Sequence, residues 1–98
     1  MLNFKNEIQL FNELKRLYRK HLNSEVVNEE FLYSICELIL LNEKYLSKSV
    51  RLRILDKEFK NEIKNLNLNY NDIKSLNVFK SKCIDYINSN LKLNSRYV

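Results

Sequence analysis

The chain contains neither glycine nor proline. Glycine supplies the positive-φ positions of tight β-hairpins, and proline fixes turns and sheet edges, so a sheet protein lacking both has little with which to turn its strands. Helices joined by asparagine-rich links need neither residue. Asparagine tolerates the left-handed conformation that closes a helix, and its side-chain oxygen caps a helix start. The 15 asparagines cluster where links are expected. An AT-rich genome accounts equally well for the abundance of Asn, Lys, Ile and Leu, and leaves the helical expectation unchanged.

A length of 98 residues suits a single domain, residues 1–98, able to bury roughly two-thirds of the surface of its unfolded chain. The 45% hydrophobic content, with six Tyr and five Phe, is too apolar for a disordered chain. Cys36 and Cys83 fall inside apolar periodic segments and outside any CxxC or His-bearing spacing, so they read as reduced core residues and not as zinc ligands or a disulfide framework. No apolar run reaches the ~18 residues of a membrane span, and the N-terminus has no signal-peptide succession. The expectation is a cytoplasmic protein that can work peripherally at the inner membrane face.

Apolar residues at steps of three and four mark four helices. Phe4, Ile8, Phe11, Tyr18 and Leu22, widened by Leu10, Leu14 and Leu17, predict a helix over about 3–21, with Arg16, Arg19 and Lys20 in its last turns. Asn28, followed by Glu29 and Glu30, reads as a cap with an acidic first turn before Phe31, Leu32, Ile35, Cys36, Leu38, Ile39, Leu40, Leu41, Tyr45 and Leu46. That helix is apolar nearly all round and is expected to be the most buried. Leu52, Leu55, Phe59, Ile63 and Leu66 predict a third helix after Ser47–Ser49. The Asn-dense run 65–71 reads as a link whose Leu68 and Tyr70 tuck onto the core.

The fourth helix, over about 71–91, aligns Ile73, Leu76, Cys83, Ile84, Ile87 and Leu91, with Phe79 and Tyr86 at its margin. Lys80 falls inside this arc, as a snorkelling side chain at the bundle edge or a buried cation with an acidic partner. Residues 92–98 have no clear period. The expected architecture is an all-α, antiparallel four-helix bundle with a short extended C-terminal tail.

Charge separates the two halves. Residues 1–49 carry seven basic and seven acidic side chains, whereas residues 50–98 carry ten against five, so the formal net charge of +5 belongs to the second half. Arg53, Lys57, Lys60 and Lys64 repeat at four, three and four and form a basic stripe apart from the apolar face of the third helix. Such a stripe suits an anionic partner or serves as a solubilising face. The inventory for catalysis is thin: His21 stands beside basic residues and no nucleophile, and the carboxylate pairs Glu29/Glu30 and Glu58/Glu62 fall at helix starts and at positions expected to be exposed. Phosphate loops and nucleophile elbows need the glycine this chain lacks. The chain therefore reads as a non-enzymatic binding protein with no cofactor, no metal and no small-molecule substrate. Nucleic acid is one possible partner, through phosphate contacts from the stripe and stacking by tyrosines, although no short Gly-bearing turn of a helix-turn-helix reader is present.

Three stretches carry a resemblance. Val27-Asn28-Glu29-Glu30-Phe31-Leu32, the run from Tyr45 through Ser47, Lys48, Arg51 and Arg53 to Leu55, and the closing Asn94-Ser95-Arg96-Tyr97 are similar to the second-helix start, the turn into the third helix and the C-terminus of the immunity proteins of pediocin-like (class IIa) bacteriocins. The resemblance, covering most of the chain, implies an antiparallel four-helix bundle in the cytosol of a bacteriocin producer. It implies a non-enzymatic role, recognition of the membrane components of the mannose phosphotransferase system with bacteriocin bound. In that family the C-terminal half and tail govern which bacteriocin is neutralised, so the matching positions here are Arg53, Lys57, Lys60, Lys64, Lys92, Arg96 and Tyr97. The chain departs from many members in lacking Gly and Pro in its third link and tail.

Overall fold

Asparagine and serine start the second, third and fourth helices. In the computed structural model, which describes the backbone of residues 4–97 and the side chains of 7–41 and 46–89, helices α1 (Phe4–Leu22), α2 (Glu29–Tyr45), α3 (Lys48–Leu66) and α4 (Tyr70–Tyr97) are joined by short links. Asn28 Oδ1 accepts from Phe31 N–H at 3.1 Å, Ser47 Oγ from Val50 N–H at 3.4 Å and Asn69 Oδ1 from Asp72 N–H at 2.8 Å, each satisfying an orphan donor of the first turn. Asn23 and Asn67, with φ of 49° and 50°, take the left-handed conformation just past α1 and α3. Asparagine thus does at both ends of helices what glycine and proline would otherwise do.

The links bring neighbours together antiparallel. Tyr18 near the end of α1 meets Phe31 at the start of α2, and Phe31 meets Phe59 late in α3. Phe59 in turn meets Phe79 early in α4. With Tyr18 against Phe79 at 5.5 Å, the four rings close a circuit to which each helix gives one aromatic, at centroid distances from 5.1 to 5.8 Å. These separations and tilts suit the ring quadrupoles and add ~0.5–1.5 kcal/mol per pair beyond area burial. Around this circuit lie Leu10, Leu14, Leu32, Ile35, Ile39, Leu55, Leu76, Cys83 and Ile87, all buried. The helix expected to be most buried is so: α2 contributes Phe31, Leu32, Ile35, Cys36, Leu38 and Ile39 to the core.

Several details depart from the sequence reading. Ile8, Leu41 and Leu66, expected among the apolar faces, stand exposed at the ends or outer seams of their helices. Phe79, expected at the margin, is at the centre, because it stands three residues after Leu76 and four before Cys83 on the same inner line. Tyr70 is 79% exposed and does not tuck inward, while Leu68 does pack against the core. Glu62, expected on an exposed face, is buried. The extended tail is replaced by helix: α4 continues to Tyr97, since nothing between Asn90 and Tyr97 breaks a helix once it is propagating. Among the described residues no helix is long and apolar enough to cross a membrane.

Candidate functional site

The inner line of α3 runs Arg51, Leu55, Phe59, Glu62, all buried, and this fixes what its opposite side presents. With Leu55 and Phe59 locked in the core, Arg53, Lys57, Lys60 and Lys64 stand exposed along the helix. The helical rise sets the row from Arg53 to Lys64 at ~16 Å. Lys60 Nζ contacts Asp56 Oδ2 at 3.0 Å, and Lys80 of α4 contacts the other oxygen of the same carboxylate. The hydrogen bonds from Lys80 and then Lys60 hold the Asp56 carboxyl below its ordinary pKa. Lys80 is thus a half-buried cation at the seam of α3 and α4 that has found its acidic partner. Among the described residues no carboxylate pairs with Arg53, Lys57 or Lys64. Lys92, Arg96 and Tyr97 belong to α4 by backbone but lie outside the residues whose side chains are described.

The second arrangement was not legible as a site. Glu62 is 4% exposed, and both of its oxygens accept hydrogen bonds: Tyr18 Oη–H donates to Oε2 at 3.0 Å and Asn28 Nδ2–H donates to Oε1 at 3.0 Å. One side chain of α3 thereby ties down the last turn of α1 and the cap of α2. Burial pushes the Glu62 carboxyl above the ordinary range, with the two hydrogen bonds pulling the other way and the neighbouring Glu58 charge adding to the rise. Burial also raises the Tyr18 phenol, helped by the Glu62 and Asp72 charges. A shallow polar groove of about 170 Å³ opens beside the cluster, walled by Asn28, Glu30, Ser34, Glu58, Asn61 and Asn65. The only sequence signal for Glu62 was its place three residues after Phe59 and seven after Leu55, on the apolar line itself.

Arg51, 2% exposed, is the other buried charged residue of that line, four residues before Leu55. His21 sits in the last turn of α1, where partial burial first and the charges of Lys20 and Lys82 second lower its pKa. Cys36 and Cys83 are free, buried thiols, each raised to about 12 chiefly by burial. Among the described residues no group of His, Cys, Asp or Glu is arranged to hold a metal ion. No family model matches the chain, and comparison with curated proteins and with solved structures finds no match.

Proposed function

We propose that the chain is an immunity protein of the pediocin-like bacteriocin kind, a non-enzymatic binding protein that protects its producer by recognising the bacteriocin-bound mannose phosphotransferase components from the cytosolic side. The observation that carries the proposal is the exposed basic row of α3. Arg53, Lys57 and Lys64 stand clear of any described acidic partner on a helix whose other side is anchored by Leu55, Phe59 and Glu62. The anchored helix fixes the spacing of the row, and its charge suits a partner at an anionic membrane surface. The bundle itself is the architecture that the resemblance implies.

The test is expression in a strain sensitive to class IIa bacteriocins. Resistance to at least one peptide of a broad panel is the expected result, and its loss on reversing Arg53, Lys57, Lys60 and Lys64 to Glu assigns the row. Unchanged killing across the panel removes the proposal. The same row supports a second reading, a small nucleic-acid-binding or phage- or plasmid-type regulatory protein. Micromolar binding to random oligonucleotides that weakens steeply between low and moderate salt would favour it.

A further inference from the structure

On the side formed by α1 and α2, Glu7, Ile8, Phe11, Asn12 and Tyr33 line an open groove of about 290 Å³. Ile8 is 44% exposed and Tyr33 55%, although both are large and apolar. Phe11 and Tyr33 form its floor and wall, with ring centroids 6.2 Å apart and planes at 59°. Beyond Tyr33 on the same helical line, past the exposed Glu37, Leu41 is 41% exposed. Eight residues of helix rise ~12 Å, which makes the strip longer than a small-molecule pocket of this volume needs. Single exposed apolar residues are ordinary, but Ile8 and Tyr33 standing open around one groove, with Phe11 between them, mark a contact surface.

The described rim of this strip is acidic. Glu7 lines the groove, and Glu37 lies between Tyr33 and Leu41 on the outward line of α2, exposed. Both carboxylates sit near enough to the buried Cys36 thiol to act on its titration. One turn beyond Phe11 in α1, Lys15 is already engaged: its Nζ meets Glu29 Oε1 at 2.9 Å and lies 5.7 Å from the centroid of the Phe11 ring. That contact, within α1, shows one face of the Phe11 ring beside an alkylammonium, as ring faces allow. The face of Tyr33 and the carboxylates of Glu7 and Glu37 offer the same chemistry to a cation from outside.

We infer that the α1–α2 groove docks a cationic amphipathic peptide segment, whose aliphatic side chains enter between Ile8, Phe11 and Tyr33 while its Lys or Arg side chains meet Glu7 and Glu37. The described charges at this groove, Glu7 and Glu37, are opposite to those of the α3 row, so the two surfaces suit different partners. An amphipathic helix laid along Tyr33, Glu37 and Leu41 presents its apolar residues at steps of three and four, the usual geometry for a helix in a groove.

The experiment uses the full chain and a fluorescein-labelled 18-residue amphipathic helix built from Leu and Lys, read by anisotropy. Micromolar binding is expected, weakened on the order of tenfold by Glu7→Lys with Glu37→Lys, since rim charges steer and orient such contacts. Ile8→Ser should weaken it to a similar degree, and Tyr33→Ser provides a second, more exposed position should Ile8→Ser disturb the fold. Reversal of Arg53 and Lys57 to Glu should leave the affinity undiminished. Amide shifts on titration should fall on residues 7–12 and 33–41. Binding no tighter than millimolar, indifference to the α1 and α2 substitutions, or shifts centred elsewhere would overturn the inference. So would a concentration-dependent dimer of the chain abolished by Ile8→Ser, which would make a second copy the occupant.

Discussion

Replacing Tyr18 by Phe isolates the hydroxyl that the buried carboxylate of Glu62 depends on. The ring stays, and with it the contacts to Phe31 at 5.8 Å and Phe79 at 5.5 Å; only the 3.0 Å donation to Glu62 Oε2 is lost. A hydrogen bond to a charged group contributes ~1.5–3 kcal/mol, and Tyr18 and Glu62 are both buried. At ~4 °C per kcal/mol for a domain near this size, Tm at neutral pH should fall by about 6–12 °C. The loss should shrink in acid. Once Glu62 holds a proton, the missing bond is one to a neutral acid, and the cost drops to ~0.5–1.5 kcal/mol. Urea titrations of both proteins at pH 7 and near pH 4 measure this difference directly. If Tyr18→Phe matches the parent at pH 7, or loses as much stability in acid as at neutrality, the buried charged contact is not what the geometry implies.

Three further outcomes follow from the same structure. The folded-state pKa of Glu62 is raised, so its contribution to stability is full below the ordinary Glu range and is lost as pH rises through the raised value; Glu62→Gln should therefore gain on the parent between pH 4 and pH 7 in denaturant titrations. Asn28→Ala removes both the cap on Phe31 N–H and the bond to Glu62 Oε1 and should cost ~1–2 kcal/mol in urea unfolding, against a few tenths for a typical exposed asparagine. Cys36 and Cys83, buried and held far from their thiolate forms, should react with an aromatic disulfide reagent only as fast as the fold opens, so that mild denaturant accelerates labelling; prompt labelling of the native protein would contradict their placement.

The helices were legible because their evidence is local and repeated. Apolar steps at three and four, Asn28 before two glutamates and Ser47 before Val50 each report on a few consecutive residues, and the structure uses Asn28 and Ser47 as caps. The exposed stripe of α3 was legible for the same reason, since residues off the apolar line face solvent. Glu62 and Arg51 were not, because hydropathy assigns charged residues to the outside, and only the rotational position of each beside Leu55 and Phe59 hinted otherwise. What makes Glu62 tolerable inside is Tyr18, 44 residues away, and Asn28, 34 away; periodicity within one helix carries no such information. The end of α4 is illegible for the opposite reason: the apolar period stops near Leu91, but helix persists where no residue stops it. The α1–α2 groove is not legible in the sequence, since Ile8 and Phe11 share the apolar stepping of core residues and only their placement at the outer seam, beside Tyr33, leaves them open.

The circuit of Tyr18, Phe31, Phe59 and Phe79 bears on how the molecule comes apart. Each ring borders two others from different helices, so no helix can peel away without stripping two neighbours of their packing at once. Partial detachment is penalised nearly as much as full unfolding, and amide protons at the middle of all four helices should exchange with solvent through one shared opening, while those at the termini exchange through independent fraying.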